Sequence, residues 1–174
     1  VFEPREGCPI CAMRNSVEEH ISEYIMGAAM MEPDVRMETN RLGFCHTHFN
    51  SLLRQKNRLS LGLMLNTYLA TVRGEVFEKK SIFFTKGAKA KKASEIEETC
   101  FVCSKVDWGV DRMLETVFTM FRDDPKFRQL YSQQQYICVP HYNLLMSNAA
   151  KKLSKNDLND FVKATDALME TYIK

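Results

Sequence analysis

Residues 8–11 (CPIC) and 45–48 (CHTH) return later in the chain as residues 100–103 (CFVC) and 138–141 (CVPH). Each half of the chain thus carries one Cys-x-x-Cys motif followed by one Cys-x-x-His motif. The two Cys-x-x-Cys motifs are 92 residues apart, and the two Cys-x-x-His motifs are 93 residues apart. These motifs use all six cysteines of the 174-residue chain and two of its four histidines. This regularity predicts an internal duplication, which determines the architecture.

The duplication extends beyond the cysteines and histidines. Pro33 and Arg36 return 92 residues later as Pro125 and Arg128. The second copy has one additional residue, which lies between Arg128 and Cys138. We therefore predict two repeats and a connection, packed as one globular body: a first repeat (1–78), a Lys-rich linker (79–99) and a second repeat (100–174).

The segment 79–92 differs in composition from the rest of the chain. It contains six lysines and no acidic residue, and removing its charge from the net +2 of the chain leaves −4 elsewhere. A stretch of this kind predicts a mobile, solvated linker. The alternative is a contact with the phosphates of a nucleic acid or with an anionic lipid. The candidate contact residues are Lys79, Lys80, Lys86, Lys89, Lys91 and Lys92.

Apolar residues recur at helical spacing in both copies, which favours an all-α fold. Pro33 and Pro125 each follow an acidic residue, a combination that is typical of the start of a helix. No stretch alternates strictly between apolar and polar residues, so strands are expected only as short segments at 43–44 and 136–137. The helical patterns are Val17, Ile21, Tyr24, Ile25 and Ala28 in the first copy and Val106, Val110, Met113, Leu114, Val117 and Phe121 in the second.

Three cysteines and one histidine in each set suit a metal ion. Thiolate and imidazole are the ligands that zinc prefers, and four of them complete its tetrahedral shell. We therefore predict two structural Zn²⁺ ions per chain. The predicted ligands are Cys8, Cys11, Cys45, His48, Cys100, Cys103, Cys138 and His141.

The partners of each half-site stay open at the level of sequence. The spacing inside the two copies is nearly equal, which favours pairing residues 8–11 with 45–48 and residues 100–103 with 138–141. The alternative pairs residues 8–11 with 138–141 across the copies. Both arrangements give the same eight ligands.

Other uses of the cysteines were weighed against zinc. Disulfides require an oxidising compartment and leave the repeated histidines unexplained. An iron–sulfur cluster is a weaker alternative to zinc. A thiol sensor that releases zinc on oxidation is a further alternative.

Arg36 and Arg128 are paired by the duplication, and we predict that each makes a hydrogen bond or salt bridge to a nearby carbonyl or carboxylate, with support of the metal ligands as one use of that contact. Anion binding is the alternative. An enzymatic hypothesis places these two arginines with His20 in a cleft. His46 has Val139 as its counterpart in the second copy. The duplication does not require this histidine, so we predict that its side chain is exposed.

The order of motifs resembles a known family. C-P-x-C, a helix, D/E-P-x-x-R, G-F-C-x-x-H-F-x-x-L-L, a Lys-rich joint, a second C-x-x-C and C-x-P-H-Y are similar to bacterial proteins grouped as domain of unknown function 6062. The resemblance covers nearly the whole chain. It implies a bacterial, cytoplasmic protein and supplies no catalytic residues, because the family has no assigned activity.

These observations favour a non-enzymatic zinc protein that binds a protein partner. Four protein ligands leave no coordination position for a substrate, as in structural zinc sites. The net charge of +2 creates no global field for a polyanion. Apolar runs are far shorter than the ~18 residues that a membrane span requires.

Overall fold

The computed structural model describes residues 1–78 and 86–173, and helices dominate both ranges. No strand occurs in these ranges, and residues 43–44 and 136–137 are irregular. The all-α prediction is confirmed. The α-helices are α1 (Pro9–Met26), α2 (Pro33–Leu42), α3 (His46–Arg54), α4 (Arg58–Val72), α5 (Lys86–Glu97), α6 (Phe101–Asp123), α7 (Pro125–Ser132), α8 (Val139–Lys152) and α9 (Lys155–Ile173).

Two short segments complete the helical elements. A 3₁₀-helix covers Ala28–Met31, and a π-helical turn covers Arg73–Glu78. Proline occupies the first position of α2 and α7, as the sequence predicted, since its missing N–H would have no intrahelical acceptor there. Among the described residues, no helix combines the length and the apolar character that crossing a bilayer requires.

The chain divides into two compact units. The terminal unit consists of Val1–Val17 with Asp107–Lys174, and the central unit consists of Glu18–Val106. Both units therefore draw residues from both copies of the sequence. The division into 1–78, 79–99 and 100–174 follows the duplication and stays a prediction about the sequence copies.

The predicted linker is helical where the structure describes it. Residues 86–92 belong to α5, residues 79–85 lie outside the described residues, and the role of the segment as a mobile linker stays a prediction. Alanine and lysine are good helix formers, which explains why this lysine-rich stretch is helical. Lys92 Nζ also lies 3.0 Å from Glu75 and 3.7 Å from Glu95, which offsets the charge repulsion locally.

An aromatic cluster forms the core of the terminal unit. The rings of Phe121, Tyr131 and Phe161 lie 5.0–5.4 Å apart between centroids. Thr165 Oγ1 donates to the Phe161 carbonyl, so the buried Tyr131 hydroxyl donates in turn to Thr165 Oγ1 at 2.9 Å. These two hydrogen bonds satisfy both hydroxyls and join α7 to α9, while the ring of Phe121 packs α6 against them.

Hydrogen bonds fix the N-terminal segment beside the loop that follows α7. The buried amide of Gln134 donates to the Phe2 carbonyl at 2.9 Å. The Gly7 N–H donates to Gln135 Oε1 at 2.6 Å. These two contacts hold the residue before Cys8 close to the segment that leads to Cys138.

Two similar hydrogen bonds in the central unit connect the end of α2 with the start of α6. The Thr99 hydroxyl donates to the Leu42 carbonyl at 2.8 Å. The Phe101 N–H donates to the Gly43 carbonyl at 2.9 Å. Cys45 and Cys100 are thereby brought to the same place.

Gly43 is required by this arrangement. Its φ of 60° and ψ of −156° lie in a region that L side chains avoid, and a Cβ atom there would collide with the ring of Tyr68. Gly62, in contrast, lies within α4 and has open space around it.

We expect Gly43→Ala to lower the free energy of unfolding by at least about 1–3 kcal/mol, the usual size of such backbone strain. Urea denaturation followed by circular dichroism measures the change. Gly62→Ala is the matched control and is expected to be neutral or stabilising by up to about 1 kcal/mol, because alanine is the better helix former. Equal stability of the Gly43→Ala variant and the original chain would contradict this account of the turn.

Candidate metal centres

Each of the four motifs lies at the N-terminus of a helix. The first cysteine directly precedes the helix, and the second ligand lies in its first turn. Cys45 and Cys138 cap α3 and α8 with extended backbones (ψ of 163° and 156°). The first N–H groups of a helix have no intrahelical acceptor, and the helix dipole is positive at this end. The fold therefore places every ligand pair where negative charge is stabilised.

The first cluster lies in the terminal unit, where α1 and α8 begin. His141 Nδ1 is 3.2 Å from both Cys11 Sγ and Cys138 Sγ, and 3.6 Å from Cys8 Sγ. The sulfurs of Cys11 and Cys138 are 3.7 Å apart. One imidazole nitrogen thus faces three sulfurs.

The second cluster lies in the central unit, where α3 and α6 begin. His48 Nδ1 is 3.2 Å from Cys45 Sγ and 3.3 Å from both Cys100 Sγ and Cys103 Sγ. The sulfurs of Cys45 and Cys103 are 3.9 Å apart. His48 and Cys100 are buried, whereas Cys45 and Cys103 are partly exposed.

These spacings fit a tetrahedral zinc ion. Zn–S bonds of about 2.3 Å and Zn–N bonds of about 2.0–2.1 Å give edges of about 3.6 Å between sulfur and nitrogen and about 3.8 Å between sulfurs. In the structure the sulfur–nitrogen edges are 3.2–3.6 Å, five of the six being 3.2–3.3 Å and thus somewhat short, and two sulfur–sulfur edges are 3.7 and 3.9 Å. The sulfur separations exceed the S–S bond length of about 2.05 Å, and all six thiols are free. Both clusters can hold a metal ion with four protein ligands.

The clusters join half-sites from different copies. Residues 8 and 11 meet 138 and 141, and residues 45 and 48 meet 100 and 103. The preference for pairing inside each copy is therefore wrong. Equal spacing along the chain is compatible with both arrangements, and hydrogen bonds between the flanking segments accompany the pairing that the structure shows.

Electrostatics within the first cluster are uneven. Burial raises the pKa of Cys8, but its contact with His141 and the N–H groups of Cys11 and Cys138 outweigh burial and lower the pKa overall. Burial, followed by the charge of Cys8, raises the pKa of Cys11 to about 12. One thiol therefore ionises readily and suppresses the ionisation of its neighbour.

The second cluster shows the same inequality. Burial opposes ionisation of Cys45, yet the N–H of His48 and the neighbouring thiols lower its pKa. Burial and the charge of Cys100 raise the pKa of Cys103 to about 12. Three thiolates can lie so close together only beside a compensating cation, and a bound divalent metal ion would supply that charge.

A glutamate that the sequence analysis did not single out touches the second cluster. Glu18 Oε1 lies 3.1 Å from His48 Nε2, the ring nitrogen that faces away from the sulfurs. The corresponding position in the second copy is Val110. The duplication therefore gave no signal for Glu18, and only the tertiary structure identifies it.

The sequence of the whole chain matches a known protein family. A model described as "Family of unknown function (DUF6062)" matches residues 1–174. The chain belongs to this family. The resemblance seen in the sequence is thereby confirmed, and both clusters lie inside the DUF6062 match. No match to the chain was found among curated proteins or solved structures.

Two arginines of the DUF6062 chain, Arg36 and Arg128, lie against carbonyl, hydroxyl and carboxylate groups. Arg36 donates to the Leu63 carbonyl at 3.1 Å and to Thr67 Oγ1 at 2.9 Å. Arg128 donates to the Phe121 carbonyl at 3.0 Å and pairs with Asp160 at 3.1 Å. These contacts fasten helices to each other, and support of the metal ligands or anion binding by the arginines stays a prediction.

The remaining candidates are distributed over the DUF6062 chain. His46 is exposed, as predicted, and lies 3.0 Å from the amide of Asn50. His20 and Arg36 belong to the central unit, and Arg128 belongs to the terminal unit.

The six lysines predicted to contact phosphates fall into two groups. Lys79 and Lys80 lie outside the described residues, whereas Lys86, Lys89, Lys91 and Lys92 lie in α5. Lys92 is paired with glutamates, so not all of the local charge is free for a ligand. Phosphate binding stays a prediction.

Proposed function

We propose that this chain is a non-catalytic binding or adaptor protein whose fold is held by two structural zinc ions. The observation that supports this proposal is the pair of Cys₃His clusters, in which the distances between ligand atoms are close to those of a tetrahedral zinc site. Each cluster joins segments far apart in the chain, so a bound ion would act as a cross-link. The proposed ligands are the eight cysteines and histidines of the clusters.

The donor set supports a structural role. Catalytic zinc sites keep a coordination position for water or substrate, whereas four protein ligands close the shell. Zinc suits a shell of three sulfurs and one nitrogen better than harder cations such as Mg²⁺, which prefer oxygen. The ion would hold charge and geometry in place and would take no part in a reaction.

We further propose a protein partner and a cytoplasmic location. Free thiols held as metal ligands are typical of reducing compartments. The net charge of +2 favours neither a nucleic acid nor an anionic membrane. The glutamate partners of Lys92 weaken the case for nucleic acid further.

Metal analysis of the purified full chain tests the proposal. Native mass spectrometry and elemental analysis are expected to give about two zinc ions per chain. Substitution by Co²⁺ is expected to produce the sulfur-to-metal charge-transfer and ligand-field absorption of tetrahedral S₃N sites. A content well below two ions, or an octahedral cobalt spectrum, would count against the proposal.

A redox role is the second candidate, because the sulfurs of Cys11 and Cys138 are only 3.7 Å apart and both residues are partly exposed. Hydrogen peroxide would take two electrons from these two thiolates, forming one disulfide and, with two protons, two water molecules. The bound metal would leave, because two of its ligands are lost. Stoichiometric zinc release by mild peroxide, reversed by a thiol reductant, would support a sensor; retention of zinc would exclude it.

A further inference from the structure

The histidine of the second cluster has an outer partner. His48 directs Nδ1 towards three sulfurs at 3.2–3.3 Å. A metal bound there takes the Nδ1 lone pair, so the ring proton must lie on Nε2. Nε2 is 3.1 Å from Glu18 Oε1, a distance at which the N–H donates to the carboxylate.

This contact is shielded from solvent on the histidine side. The side chain of His48 is 5% exposed and that of Glu18 is 33% exposed. A charge-assisted hydrogen bond in such a setting is stronger than one between two exposed groups. It fixes the orientation of the ring and makes Nδ1 a more basic ligand.

The first cluster has a different surrounding. His141 also directs Nδ1 towards three sulfurs, but among the described residues no carboxylate lies within ion-pair distance of its ring. Val110, at the position that corresponds to Glu18, is an apolar residue with 2% exposure. The two centres therefore have the same types of ligand, but only the ring of His48 contacts a carboxylate among the described residues.

We propose that Glu18 is a positioning residue for the metal at His48 and gives the two centres different affinities for the metal. The carboxylate strengthens the centre of Cys45, His48, Cys100 and Cys103. The centre of Cys8, Cys11, Cys138 and His141 is then the first to give up its ion. This inference rests on the proposed zinc function and adds which centre exchanges metal more easily.

The test is competition between the zinc-loaded full chain and a chelator of known affinity. Removing a carboxylate that holds a metal-bound histidine typically costs about 10–100-fold in metal affinity. We expect Glu18→Ala to lower the metal affinity of the His48 centre by that factor and to leave the affinity of the His141 centre unchanged. Glu18→Gln keeps an acceptor oxygen without the charge and should weaken the His48 centre less. Glu19→Gln, an exposed neighbour on α1, is the matched control and should change neither centre.

NMR of ¹⁵N-histidine-labelled protein assigns the centres during the titration. In the original chain, the His141 signals should change before those of His48. The Nε2 proton of His48 should be hydrogen-bonded and slow to exchange, and Glu18→Ala should remove both properties while His141 is unaffected. A purely structural role would not produce these ring signals or partial rescue by glutamine.

The outcomes separate the inference from the proposed function. Two bound zinc ions with unchanged affinities in Glu18→Ala would overturn the inference and leave the zinc proposal intact. Equal weakening of both centres, or loss of metal from the His48 centre first, would also overturn it. A chain that binds fewer than two ions would overturn both. If Glu18→Ala does not fold, the nearly isosteric Glu18→Gln decides.

Discussion

Removal of zinc with a chelator is expected to unfold most of the chain. Structural zinc contributes an apparent ~10–16 kcal/mol of binding free energy in zinc-finger peptides, whereas a typical domain is stable by only about 5–15 kcal/mol in total. Each cluster also lies where two helices begin. Loss of its metal ion would therefore remove a cross-link and leave three thiols crowded together. Circular dichroism at 222 nm during chelation, with thermal melting of both forms, measures the effect.

The reversal is the control for this prediction. Adding zinc back under reducing conditions should restore the helical signal and the melting temperature, because the fold and the sites form together. Chelator already saturated with zinc should have no effect. A chain that has demonstrably lost both ions and melts as before would show that the helices pack without metal.

The second large effect concerns which half-sites belong together. Cys11→Ser with Cys138→Ser damages one cluster, so the double variant is expected to retain about one zinc ion. Cys11→Ser with Cys45→Ser damages both clusters and is expected to retain about none. Pairing inside the sequence copies predicts the opposite for both double variants. Native mass spectrometry of the two double variants and the original chain distinguishes the alternatives.

Stability measurements add an independent readout of the same pairs. Once Cys11→Ser has removed an ion, Cys138→Ser should cost little more, because both residues act through one site. Cys11→Ser and Cys45→Ser should each lower stability by a separate, comparable amount. Additive costs for Cys11 and Cys138 would contradict the arrangement of the clusters.

Much of the candidate sites was readable from residue type and spacing. Cysteine and histidine at fixed intervals carry their chemistry with them, because few ions other than zinc suit three thiolates and one imidazole. The helices were likewise predictable, since apolar periodicity and the prolines at 33 and 125 act locally. All eight predicted ligands lie in the two clusters.

Other features depend on contacts between distant residues and left no trace in the local pattern. Glu18 touches His48 across 30 positions of sequence, and its counterpart Val110 gave no hint of this role. Residues 86–92 form a helix in which Lys92 pairs with Glu75 and Glu95. Composition did not reveal this pairing, because Glu75 and Glu95 lie outside residues 79–92, the segment that holds the six lysines.

The sequence by itself determined an all-helical fold class and the eight side chains that form the two candidate metal clusters, because secondary structure and ligand chemistry are local properties. Only the tertiary structure decided that residues 8–11 meet 138–141 and that residues 45–48 meet 100–103. Two sets of similar motifs leave the pairing of the half-sites open at the level of sequence. In the folded chain, hydrogen bonds such as Gly7 to Gln135 and Phe101 to Gly43 accompany the observed pairing, and they join residues that are distant in sequence.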